Sequence, residues 1–297
     1  MTTTVAVTGA TGFIGGHIVD TLTKLPKVTV TAVGRKPVPH PKVQHLLWDG
    51  TTVPGAGKKF DVIIHCAAVM RIGNTAEDMR ACQFNINSLN LLHPLKDTHG
   101  NNTFVHMSSA SVYTPGKDRH NISEDYPTGG CYGAYARTKQ EADTVALGTG
   151  HIVLRPHAVY GDGDNHLLPR LQKTIRNNVL PLPGKTVEMS LTHIGNMVDA
   201  VVHSTGLSTG KVWPAGAYNI SDWRNYDRDD TARKLFPNAT IVHMPTRALK
   251  LAIKMGTAPE NVTAYTLDQV SKNVTLNIGK ACSQGWRPQL ELGDWLT

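Results

Sequence analysis

A chain of 297 residues with 40% hydrophobic content is large enough to bury a full core, as one domain or as a domain with an added cap. Its net charge of +7 comes without a long basic run, the densest pairs being Arg35-Lys36 and Lys58-Lys59, so a solvated surface is expected rather than a nucleic-acid interface. Four scattered cysteines (Cys66, Cys82, Cys131, Cys282) form no C-x-x-C pair, and fourteen histidines form no H-E-x-x-H, which argues against a disulfide framework and a metal centre.

The longest apolar stretch, 62–70, is interrupted by His65 and falls far short of the roughly 20 residues that cross a bilayer. The start, Met1-Thr-Thr-Thr-Val5, has neither the basic nor the apolar segment of a secretory signal. A cytoplasmic protein without a membrane partner is expected.

In chain order, β-branched runs at 5–7, 28–33, 43–47, 62–65, 104–106 and 152–154 alternate with helical patterns at 13–24, 77–93 and 135–147. This alternation predicts an α/β fold, a doubly wound parallel sheet of the Rossmann kind. After residue 155 the pattern changes, with Pro181-Leu-Pro-Gly184, a helical stretch over 196–203 and a strand over 217–220. We therefore expect a dinucleotide-binding domain over 1–155, completed by 196–222, and a smaller substrate-binding region made from 156–195 and 223–297.

Thr8-Gly9-Ala-Thr11-Gly12-Phe13-Ile14-Gly15 follows the first strand and opens the first helix. Glycines in that setting allow a tight turn, a close approach of a pyrophosphate, and close packing of helix on strand. The helix start adds free N–H groups and the positive end of the dipole. The second strand ends at Val33-Gly34-Arg35-Lys36, with no carboxylate to bind ribose hydroxyls. A guanidinium there pairs with a 2′-phosphate, so Arg35 points to NADP(H) as cofactor. Asp49, after the third strand, suits the adenine amino group.

Tyr135-Ala-Arg-Thr-Lys139 places a phenol and an ammonium one helical turn apart, and the ammonium favours the phenolate. Such a tyrosine serves as a general acid or base. A second pair at the same spacing, Tyr113 and Lys117, is interrupted by Pro115-Gly116 and cannot share a helical face. Ser109 sits past the fifth strand, at the sheet end where α/β folds build their sites, with Ser108 and Ser111 as competitors.

Taken together, Thr8-Gly9-x-x-Gly12-x-x-Gly15, His65-Cys-Ala67-Ala68, Asn85, Ser108-Ser109-x-x-Val-Tyr113, Tyr135-x-x-x-Lys139 and Arg155-Pro-His-Ala-Val-Tyr-Gly161 resemble the extended short-chain dehydrogenases/reductases over essentially the whole chain. The resemblance implies that Ser109 and Tyr135 bind the reacting oxygen and Lys139 also holds the nicotinamide ribose. By the same resemblance Ala67 and Ala68 flank the adenosine, and Pro156 and Val159 lie beside the nicotinamide. Met70, Tyr113, His157 and His193 are the candidate substrate contacts, and a homodimer is a family expectation.

That family holds sugar-nucleotide epimerases and dehydratases as well as steroid-type dehydrogenases and ketone reductases. The segment 188–196 lacks the arginine with which many sugar-nucleotide members neutralise the diphosphate, although Arg155, Arg170 or Arg176 could reach it from another side. Residues 155–164 resemble hydroxysteroid-dehydrogenase-like members. The expected activity is thus NADPH-dependent reduction of a relatively apolar ketone, or its reverse. The alternatives are a sugar-nucleotide epimerase or dehydratase and, more remotely, a non-catalytic NADP-sensing protein.

Overall fold

The computed structural model describes residues 1–55, 58–95, 102–164, 167–259 and 261–296. Seven strands form the main sheet: β1 (Thr3–Thr8), β2 (Val28–Gly34), β3 (Val43–Leu47), β4 (Val62–His65), β5 (Thr103–Met107), β6 (Ile152–Pro156) and β7 (Gly216–Ile220). Their order is β7-β6-β5-β4-β1-β2-β3, and every pairing is parallel. This is the expected doubly wound sheet.

Both faces of a parallel sheet are covered, so its inner strands read as continuous apolar runs. On β1, Val5 and Val7 join one core while Ala6 joins the other; on β4, Val62 and Ile64 divide from Ile63 in the same way. The first core is closed by α1 (Phe13–Leu22) and a later helix, Ile194–Ser204; the second is closed by α2 (Phe84–Leu92) and α3 (Gly133–Gly148). The helical pattern over 77–93 resolves into two helices, Ala76–Cys82 and α2, separated at Gln83. Thr75 starts the first of them with a capping box closed by Asp78.

A second, four-stranded sheet is assembled from distant parts of the chain, in the order 225–227, 188–190, 274–276 and 119–122. Residues 119–122 come from the first half of the sequence yet pair with 274–276. The C-terminal region is thereby tied to the loop that follows β5, beside the carboxyl end of the main sheet.

Candidate active site

The glycine turn is built by steric exclusion. Gly9 has φ +67°, and a Cβ there would lie 2.7 Å from the Ala67 backbone nitrogen. At Gly15 a Cβ would lie 2.2 Å from the Gly9 carbonyl oxygen, so the first turn of α1 rests directly on the loop. Gly12 is the N-cap, no side chain caps the helix, and no acidic residue stands in its first turn. The leading N–H groups of α1 are thus left for an external acceptor, and a diphosphate fits this donor set. Thr8 ties the turn to β4: its hydroxyl bonds His65 Nδ1 at 2.7 Å and accepts from the Ala67 N–H at 3.1 Å.

Of the other expected cofactor residues, Arg35 is exposed immediately after β2, and its guanidinium makes no bond among the described residues. The Asp49 carboxylate accepts from the Thr51 hydroxyl and N–H at 2.7 and 2.9 Å, which holds its pKa below the usual range. Thr11, Gly12 and Ala68 are exposed and Phe13, Ile14 and Ala67 half-buried around the mouth of the turn. Pro156 ends β6; beyond it Ala158 takes a left-handed φ of +45° and Val159 pairs with Thr192.

Helix α3 starts where the loop after β4 receives it. Gly133 has φ +78°, and a Cβ there would lie 2.9 Å from the Ile72 carbonyl oxygen. The Ala134 and Tyr135 N–H groups donate to the carbonyls of Gly73 and Arg71 at 2.9 and 3.1 Å. Asn85 braces this loop: its Oδ1 accepts from the Val69 N–H at 2.7 Å, and its Nδ2 donates to the Val69 carbonyl and the Thr138 hydroxyl, both at 3.0 Å. Gly133 was not anticipated, although a glycine two residues before the catalytic tyrosine was its signal.

Tyr135 and Lys139 are both buried on α3, one turn apart. The Lys139 ammonium donates to the Met107 carbonyl at the end of β5. Burial pulls its pKa down to about 8, against the opposing pull of Cys66 and Asp143. An ammonium so poised beside a phenol is suited to proton exchange near neutrality. Ser109 caps a 3₁₀ turn (Ala110–Val112), its hydroxyl accepting from the Ser111 N–H at 3.1 Å. The two competing serines are buried, and Ser108 donates to Asp143 at 2.5 Å. Ser109 alone of the three is half-buried rather than buried.

Around Tyr135 the walls are apolar. Ala134 and Cys82 are buried beside it, and Val69, Met70, Met79 and Tyr265 pack against the group. Met70 is thus packed against the cluster that contains Tyr135.

The remaining expected contacts are engaged elsewhere. Tyr113 is buried, donates to Asn219 Oδ1 at 2.5 Å and accepts from Arg155 at 3.2 Å. His157 is buried with Nδ1 on the Ser190 carbonyl at 2.6 Å and Nε2 on Gln269 at 3.3 Å. His193 is the N-cap of helix Ile194–Ser204, where Nδ1 accepts from the Gly195 N–H at 3.0 Å. Each was read as a substrate contact because its bonding partners are remote in sequence or belong to the backbone. Among the described residues, no three His, Cys, Asp or Glu side chains come together in a group able to hold a metal, and no helix is long and apolar enough to cross a membrane.

A glycine turn at a helix start, a Tyr/Lys pair on the helix before β6 and a serine after β5 define a short-chain dehydrogenase/reductase of the extended type. The chain belongs to the NAD dependent epimerase/dehydratase family, whose sequence model matches residues 5–220. It is 28% identical over 251 residues to the 3-beta-hydroxysteroid dehydrogenase of Mycolicibacterium neoaurum, covering 77% of this chain and 68% of that protein. It is 27% identical over 240 residues to the 3 beta-hydroxysteroid dehydrogenase/Delta 5-->4-isomerase of Mycobacterium tuberculosis, covering 73% and 64%. The chain thus spans about two thirds of the length of these curated relatives. Its fold is that of the UDP-glucuronic acid 4-epimerase from Bacillus cereus in complex with NAD, with a TM-score of 0.75, 20% identity and coverage of 99% and 96%.

Proposed function

We propose that the protein is an NADPH-dependent ketone reductase, or alcohol dehydrogenase in reverse, acting on a relatively apolar carbonyl compound of steroid, polyketide or similar natural-product type. The observation that carries this reading is the apolar cluster in which Tyr135 sits with Ala134 and Cys82, against which Val69, Met70, Met79 and Tyr265 pack. Three further features support it. Strand 188–190 carries no cation that would meet a sugar diphosphate, and its Ser190 hydroxyl is bonded to Asn225 and the Leu276 N–H. Arg155 is buried in an ion pair with Asp143, and Arg176 bonds its own turn through the carbonyls of Lys173 and Ile175. The Arg170 side chain lies outside the described residues. Finally, the relatives above are named as hydroxysteroid dehydrogenases.

When bound, the nicotinamide supplies or accepts hydride at the carbonyl carbon. Ser109 hydrogen-bonds the substrate oxygen, Tyr135 hands it a proton as negative charge develops, and Lys139 holds the ribose and lowers the cost of phenolate. Arg35 pairs with the 2′-phosphate.

The test combines NADPH with a panel of steroid and polycyclic ketones, following the reduced-nicotinamide absorbance, alongside calorimetric titration with uridine and guanosine diphosphosugars. Ketone-dependent oxidation of NADPH without sugar-nucleotide binding is the expected result. Saturable micromolar binding of a diphosphosugar with no ketone turnover would replace this reading with epimerase or dehydratase chemistry.

A further inference from the structure

Asp143 lies one turn beyond Lys139 on the same face of α3, and at 2% exposure it is a carboxylate withdrawn from water. Its oxygens are fully engaged. Ser108 donates to Oδ1 at 2.5 Å, while Arg155 donates to Oδ1 through Nε at 3.0 Å and to Oδ2 through Nη2 at 2.6 Å. The other arm of Arg155, Nη1, reaches the Tyr113 hydroxyl at 3.2 Å and the Glu124 carbonyl at 3.1 Å, and the guanidinium stacks 5.0 Å over the Tyr113 ring.

Ser108 and Tyr113 are the two ends of the turn that presents Ser109. One buried ion pair therefore grips both ends of that turn and, through α3, the segment that carries Tyr135 and Lys139. We propose that Asp143 is a positioning residue, which through Arg155 and Ser108 locks the Ser109 turn and the Lys139 side chain into one register for the reaction. It touches neither substrate nor cofactor. The role rests on the assignment of Ser109, Tyr135 and Lys139 given above.

A buried ion pair that served packing alone would be replaceable by apolar side chains at little cost. Here the carboxylate also lies one helical turn from Lys139, both of them buried, and after Cys66 it is a further influence favouring the ammonium. Removing the charge should therefore release a proton from Lys139 as well as loosen the turn.

The experiment uses the full chain with ¹³C-labelled lysine, the Lys139 signal being identified by its loss in Lys139→Met. Asp143→Asn keeps the shape and loses the charge; the Lys139 titration midpoint should fall by about one pH unit or more. If Asp143→Asn does not fold, Arg155→Met, which leaves the Asp143 carboxylate without its counter-cation, should raise the Lys139 midpoint instead. An unmoved midpoint in a folded variant overturns the proposal, whatever its melting temperature does. Ser108→Ala leaves the ion pair in place, so the lysine midpoint should stay while kcat drops by about tenfold or more at unchanged KM. Unchanged kcat would remove the Ser109 half of the proposal. Because the titration needs no substrate, absence of ketone turnover in the wild type would count against the proposed function and not against the Asp143 to Lys139 coupling.

Discussion

The ring of Tyr265 meets the ring of Tyr135 edge to face, with centroids 6.2 Å apart and planes at 73°. That contact seats the helix Ala264–Ser271 against the helix that carries the reacting groups. Because Tyr135→Phe keeps the ring, it should keep this packing, the fold and the affinity for NADPH. Turnover should fall by at least about a hundredfold, the share of a positioned general acid. Steady-state ketone reduction and fluorescence titration of NADPH separate the two. By contrast, Tyr113→Phe removes a buried hydroxyl that bonds Asn219 and Arg155, and should cost about 1 to 3 kcal/mol of unfolding free energy. Near-normal reduction by Tyr135→Phe would sink the assignment.

Arg35 is exposed immediately after β2, and the proposed function assigns it the 2′-phosphate. A charge-assisted bond of this kind contributes roughly 1.5 to 3 kcal/mol, so Arg35→Ala should cut the preference for NADPH over NADH by about 10 to 150 fold. Dissociation constants for both cofactors, measured at one ionic strength, decide it. An unchanged ratio would assign the selectivity to another residue.

Lys139 exposes a conflict between stability and chemistry. Its pKa falls from 10.5 to about 8 on folding, so the folded chain holds this proton less firmly than the unfolded one. The resulting penalty is fully present below about pH 8 and is relieved as the pH rises toward 10.5. It amounts to about 3 kcal/mol. Lys139→Met should therefore raise the unfolding free energy of the cofactor-free protein at neutral pH by a similar amount while weakening NADPH binding and abolishing turnover. A denaturant titration showing a destabilised variant would refute this.

Acid should open the fold through its buried histidines. Burial holds His65 neutral down to about pH 3, and it lowers His106 well below its usual range; each is 1% exposed. Folded histidines that resist protonation give full stability above their unfolded value of about 6.5 and lose it as the pH falls below that point. Each should remove about 1.4 kcal/mol per pH unit. Urea midpoints at about pH 7.5 and about pH 5.5 check the slope, and a flat profile between them would show that neither ring is buried as described.

Much of this architecture was legible because parallel strands buried on both faces leave continuous apolar runs, as 62–65 and 152–154 do, while Gly9 and Gly15 mark a turn that has no room for a Cβ at either position. Tyr135 and Lys139 were legible because one helix fixes their spacing. The choice among Ser108, Ser109 and Ser111 was open in the sequence, since it turns on Asp143, 35 residues from Ser108. The bonds of Tyr113 and His157 were not legible for the same kind of reason: their partners Asn219 and Gln269 lie 106 and 112 residues away. An acid four residues after Lys139, on a face that must pack inward, was a signal for Asp143 that passed unread.

The bond from Tyr113 to Asn219 also bears on the order of assembly. Ser109, Tyr135 and Lys139, the residues assigned to the reacting oxygen under the proposed function, all lie in the first half of the chain. Arg155 on β6 grips the Tyr113 end of the Ser109 turn first, and the Tyr113 hydroxyl gains its second partner, Asn219, when β7 docks beside β6. The last tie on this turn should consequently form late in folding, when the sheet gains its final strand.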